Sequence, residues 1–278
     1  MRKHIIKTVI IICLISITIF NFSDCFGKKA VPVQGAEIDL SAVKELEKAD
    51  IDSVQKSINA VNQKYEAKRS AEKAERIRKE KSKNAAEGIN SVKEQINSGE
   101  RSLNKIFSSS LIVGDSLIEA ISYYHVLDSQ LVMGKVSASL YELDSISDKI
   151  IAYHPEVLIL HYGENHISGP SEEKINRFTN LYIKLIDKFR KKIPDTRIVV
   201  SSIFLPSETG LKKSPYLKVI PLYNEALKKM CAEKGIEFLD NDPIFTGNDS
   251  FYGGDGVHMD KSFYTEHWLP YIAYVLDL

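Results

Sequence analysis

The chain has 278 residues, enough for one good-sized domain and a further segment. It is 44% hydrophobic and 27% charged, as globular chains are, and 37 Lys and Arg balance 37 Asp and Glu. A net charge of zero gives no electrostatic ground for binding nucleic acid, and Cys13, Cys25 and Cys231 build neither a disulfide framework nor metal-ligand spacing.

The chain opens on a targeting pattern. Arg2, Lys3 and Lys7 precede the apolar run from Thr8 to Phe20. A basic start before an apolar core of this length reads as a signal peptide or a membrane anchor within residues 1–26. The basic end stays in the cytoplasm, so the rest is expected outside, either tethered to the membrane or secreted after cleavage. The uncharged stretch from Thr8 to Ser23 is short for a span of roughly 20 residues. Cleavage after Ser23-Asp24-Cys25 or Val33-Gln34-Gly35 has no Ala-x-Ala pattern to guide it, and Asp24 is ill suited to precede a lipid-modified Cys25.

Residues 37–107 are a different material, rich in Glu, Lys, Ala, Ser and Gln, with no proline and with glycine only at 88 and 99. Ile51, Val54, Ile58, Val61 and Tyr65 follow a 3-4-3-4 spacing, and Ile89, Val92, Ile96, Leu103 and Ile106 resume a similar stripe. The stretch from Lys64 to Lys83 is charged, with little to bury. This pattern predicts a helical stalk, continuous or folded as a hairpin. Such a stalk could pair as a coiled coil into a homo-oligomer or remain a solvated linker.

From Ser108 to Leu278 the pattern becomes α/β. Strands are expected at 111–113, 130–136, 157–162, 197–203 and 236–239. The continuous apolarity of Val-Leu-Ile-Leu at 157–160 suits a strand buried on both faces. The clearest helix is Glu172–Lys192, where Ile175, Phe178, Leu181, Leu185 and Phe189 form one apolar face. Its acidic start and basic end suit the helix dipole. Further helices are expected at 221–234 and 261–276. Strands alternating with helices imply a parallel sheet with right-handed crossovers, and in such sheets ligands bind at the carboxyl ends of the strands.

The polar residues that follow the strands are a chemically coherent set. Gly114-Asp115-Ser116 follows the first strand, Gly134 lies near the second, and Gly163-Glu164-Asn165 follows the third. Asp255-Gly256-Val257-His258 follows the last strand. A serine hydroxyl is a weak nucleophile that needs a base. Histidine can serve, with a carboxylate fixing its tautomer, and backbone or amide N–H groups can hold a developing oxyanion. Each motif alone has an ordinary explanation: Ser116 as a helix start, Asp255 and His258 as a structured loop. Their order and their shared place at strand ends carry the argument.

These blocks resemble those of the SGNH/GDSL hydrolase superfamily over residues 108–278. The resemblance implies a three-layer α/β/α flavodoxin-like sandwich with five parallel strands. It implies Ser116 as nucleophile, His258 as general base and Asp255 as its orienting partner. Ser116 and Gly134, through backbone N–H groups, and Asn165, through its side chain, would form the oxyanion hole. Neither metal nor cofactor is called for. Glu164 stands where the family commonly has a small or hydrophobic residue. Glu164, His166 and Asp115 are candidate substrate contacts. No Gly-x-Ser-x-Gly elbow is present, which argues against an ordinary α/β-hydrolase. The expected activity is an extracytoplasmic serine esterase that removes O-acetyl groups from cell-envelope or other polysaccharide. The same site could instead run as an O-acetyltransferase, or the domain could be an inactive glycan-binding module on a stalk.

Overall fold

A computed structural model describes residues 51–245 and 250–278. The expected signal or anchor of residues 1–26 lies outside them, as does the first part of the expected stalk. Among the described residues no helix is long and apolar enough to cross a membrane.

The described chain begins with helix α1, Ile51–Asn97. Its Ala, Glu, Lys and Gln content favours helix, and the chain leaves it through Gly99, which takes φ +78°. The described residues fall into two units that divide after Ala67. Within the first, Ile58, Val61 and Tyr65 of the first stripe are exposed. Within the second, the stripe expected to serve a stalk is used differently. Ala85, Ile89 and Val92 are buried in a core shared with the α/β elements, and Ile96 packs against it. Gly88 sits so close to the ring of Tyr274 that an added Cβ would lie 2.3 Å from it. A helix that faces a partner helix and one that faces a sheet domain share nearly the same apolar spacing, so the sequence pattern does not separate them.

After a short helix, α2 (Leu103–Ile106), the α/β part follows. The strands are β1 Ser110–Gly114, β2 Val132–Gly134, β3 Val157–His161, β4 Arg197–Ser201 and β5 Glu237–Leu239. They form one parallel sheet in the order β2-β1-β3-β4-β5. The helices are α3 Ser116–Tyr123, α4 Leu140–Tyr153, α5 Glu172–Lys192, α6 Glu208–Lys213, α7 Ile220–Lys234 and α8 Leu269–Leu276. This is the expected three-layer doubly wound sandwich.

The period-2 alternation of side chains divides the strands between two cores. Leu111, Val113, Leu158, Leu160, Ile198 and Val200 pack with α4, α5 and α7. Ile112, Ile159, Val199 and Leu239 pack with α3, α8 and the end of α1. The helix expected at 261–276 contains a π-helical turn, Phe263–Trp268, before α8. This turn presents Tyr264, whose hydroxyl donates to Leu117 O at 2.6 Å, and Trp268, whose Nε1 donates to Asn241 Oδ1 at 3.0 Å. It thereby ties the start of α3 to the segment just after β5.

Candidate active site

Register places the expected residues along one edge. Gly114 pairs with Gly134 on one side and with His161 on the other. Ser116 therefore starts α3 two residues beyond the middle strand of this group, and Asn165 follows its neighbour. Gly134 packs against the first turns of α3: a Cβ there would lie 2.2 Å from Glu119 N, so only glycine allows that approach. Asp115 caps α3, its Oδ1 accepting the N–H of Leu117 at 3.1 Å. Its side chain is 1% exposed, and Oδ2 has no hydrogen-bond partner among the described residues. Burial pushes its carboxyl up to about 7, against the pull of the Leu117 hydrogen bond.

The loop bearing Asp255 and His258 is organised by one carboxylate. Asp255 Oδ1 accepts the N–H groups of Val257 (2.9 Å) and His258 (3.0 Å), which folds the loop into a tight turn. Asp255 Oδ2 lies 2.7 Å from His258 Nδ1. Partial burial pushes the Asp255 carboxyl up, but these three hydrogen bonds outweigh it and hold the group below its ordinary range. His258 Nε2 lies 3.1 Å from Ser116 Oγ. Ser116, His258 and Asp255 are thus joined in one chain of hydrogen bonds, within the reach needed for proton transfer between a hydroxyl and a base.

The other expected residues occupy the turn after β3. Asn165 donates from Nδ2 to Ala138 O at 2.9 Å, which anchors its amide beside the β2–α4 loop and leaves its second N–H to point elsewhere. Glu164 is half-buried, and burial is the main cause that raises its pKa, with the Asp255 charge adding and the His258 charge opposing. His166 is used internally. Its Nδ1 accepts the N–H of Leu140 at 3.4 Å, its ring lies against Tyr141 and Phe178, and its Nε2 is closed off from solvent. Asp115, with its buried side chain spent on capping α3, is likewise placed to support Ser116.

Sequence reading missed a clamp on the His258 loop. Gly256 takes φ +76° and packs on Gly210 at the start of α6, where a Cβ would lie 2.3 Å from Gly210 N. Gly256 O accepts from both the N–H (2.9 Å) and the Oγ (3.1 Å) of Ser207. Lys213 Nζ donates to Gly254 O at 2.6 Å. Ser207 and Gly210 lie more than 40 positions before the loop, in a segment without a recognisable motif. The Ser-x-x-Gly helix start was the sole local signal available.

Residues 113–265, more than half the chain, match the model of the GDSL-like Lipase/Acylhydrolase family. Similar solved structures include one described as a GDSL-like lipase from Parabacteroides merdae, at 14% identity over 59% of this chain and 93% of that one, with a TM-score of 0.48. A catalytic mutant of an acetylxylan esterase from Geobacillus stearothermophilus is 15% identical over 60% of this chain and 92% of that one, with a TM-score of 0.45. A GDSL-like lipase from Bacteroides thetaiotaomicron is 12% identical over 68% and 97%, with a TM-score of 0.46. No curated protein matches the sequence.

Proposed function

The chain belongs to the GDSL-like lipase/acylhydrolase family and is a carboxylic ester hydrolase; we propose that it acts through Ser116, His258 and Asp255 on O-acetyl groups of an extracytoplasmic glycan. The observation that carries the site assignment is the unbroken chain from Ser116 Oγ through His258 to Asp255 Oδ2, at 3.1 and 2.7 Å. In this reading Ser116 Oγ attacks the ester carbonyl while His258 Nε2 takes its proton. Asp255 holds Nδ1–H and stabilises the imidazolium. The N–H groups of Ser116 and Gly134 and the Asn165 amide receive the negative charge on the carbonyl oxygen. His258 then protonates the departing alcohol. Water, deprotonated by His258, resolves the acyl-enzyme and releases the acid.

The N-terminal pattern of basic residues followed by Thr8–Phe20 supports export, with tethering or cleavage as its two forms. An exported esterase meets glycans of the cell envelope first. Ser116→Ala should lower kcat on p-nitrophenyl acetate by about 10⁴-fold or more while circular dichroism stays native. A fluorophosphonate probe should label the parent at Ser116 and leave that variant unlabelled. Undiminished turnover by Ser116→Ala would remove the serine from the mechanism. The substrate class is tested by acetate release from O-acetylated peptidoglycan and xylan. Hydrolysis of small free esters alone would reduce the reading to a general esterase.

A further inference from the structure

The proposed chemistry gives the acyl group its place at Ser116 but leaves the alcohol side unheld. We infer that Tyr141, backed by His166, is a stacking platform for a pyranose ring of the ester's alcohol portion; the inference rests on the glycan-esterase reading above. Tyr141 is the second residue of α4, which opens just after Gly134 at the carboxyl edge of the sheet. Its neighbours Leu140 and Leu143 are buried, whereas Tyr141 is 64% exposed.

A lone exposed aromatic needs no explanation, but this ring is held from behind. Its centroid lies 5.4 Å from that of His166, with 33° between the ring planes. His166 in turn lies 5.9 Å from Phe178 and accepts the Leu140 N–H on Nδ1. Accepting there places the ring proton on Nε2, and burial pushes the pKa of His166 down, so the backing ring stays neutral. The same turn carries Asn165, whose amide grips Ala138 O three residues before Tyr141. Two separate hydrogen bonds therefore fix the platform to the turn that bears a proposed oxyanion donor. A ring so fixed offers a large contact face at little entropic cost.

The surroundings select the ligand. A pyranose has a C–H face that suits an aromatic ring and hydroxyls around its rim. Glu142, the next residue after Tyr141, pairs with Lys135 at 2.8 Å, and the half-buried Glu164 lies two residues before His166 in the turn. These groups can meet hydroxyls. His166, with both ring nitrogens turned inward, is a positioning residue for Tyr141.

The test compares Tyr141→Ala and Tyr141→Phe on O-acetylated xylotetraose and on p-nitrophenyl acetate. The Ala variant should raise KM for the tetrasaccharide and lower its kcat/KM about tenfold relative to that for the small ester, while Phe should hold the ratio within about twofold. An unchanged ratio in a natively folded Ala variant overturns the platform and leaves the esterase reading standing. A parent enzyme that turns over p-nitrophenyl acetate but releases no acetate from the tetrasaccharide or from O-acetylated peptidoglycan fragments overturns the glycan reading and the platform together.

Discussion

Ser116 and His258 meet at 3.1 Å, yet they arrive by different routes. Ser116 stands on the first turn of α3, directly after a strand whose five residues are all buried. Sheet register, the close approach of Gly134 and the Tyr264–Leu117 hydrogen bond set its position. His258 stands on a loop, and the side chains of His258 and Asp255 are each 49% exposed. Its position comes from hydrogen bonds, three to one carboxylate and two to Gly256 O, and from the packing of Gly256 on Gly210. The comparison teaches that the two halves should fail differently. Damage to the loop should cost activity before stability, whereas changes under Ser116 should register first in the stability of the domain.

Within the loop, the largest effect is expected from Asp255→Asn. Asparagine can still accept the Val257 and His258 N–H groups through its oxygen, so the turn can persist. Its amide nitrogen, however, would face His258 Nδ1 as a donor and favour the tautomer that cannot accept the Ser116 proton. The expected loss is about 10³- to 10⁴-fold in kcat on p-nitrophenyl acetate, with a melting temperature near that of the parent. A loss below about tenfold would mean that something other than Asp255 orients the imidazole, and the loop half of the comparison would need a new organiser.

A smaller effect is expected from Gly256→Ala. At φ +76° an L-residue is strained by about 1–2 kcal/mol, and the new Cβ would fall 2.3 Å from Gly210 N and 2.4 Å from Ser207 Oγ. The loop must shift to relieve this contact, and a displacement of about 1 Å at a catalytic group costs on the order of 10²-fold. Steady-state kinetics should show kcat reduced about 10- to 100-fold, beside a modest drop in melting temperature. Native kcat in this variant would mean that the 207–210 clamp does not govern His258.

The same contrast governs what was legible in the sequence. The strands were readable because the doubly buried run at 157–160 and the β-branched runs at 111–113 and 197–203 state their burial locally. Ser116, Gly134, Asn165 and the Asp255–His258 pair were readable because each lies at or beyond a strand end in chain order. The sequence groups them as a set, and the structure places Ser116, His258 and Asp255 within hydrogen-bond distance in series. The clamp was not readable, since Ser207 and Gly256 meet across 49 positions with no pattern in either segment. Nor was the use of Ile89 and Val92, because a helix face records that it is buried and not what buries it. His166 was read as a substrate contact from its place beside Asn165. The side chain turns inward under Tyr141.

The smallest expected effect sharpens the other half of the comparison, at the base of Ser116. Asp115 has its carboxyl raised from an ordinary 3.8 to about 7 by burial, with one oxygen capping Leu117 and the other unpartnered among the described residues. A carboxyl raised on folding stabilises the native state fully below its unfolded pKa, and that contribution is lost as pH rises through the folded value. The window therefore runs from about 4 to about 7, and above it the domain carries a buried charge with half its hydrogen bonds unmade. Asp115→Asn keeps the oxygen that caps Leu117 and cannot ionise. Its melting temperature should equal the parent's near pH 4 and exceed it by several degrees near pH 8. Thermal denaturation of both proteins across that range reads the sign directly. A variant less stable than the parent at pH 8 would mean that the Asp115 carboxylate is ionised and satisfied in the fold. Ser116 would then rest on a charged support, as His258 does, and the two halves of the site would be held by the same kind of interaction after all.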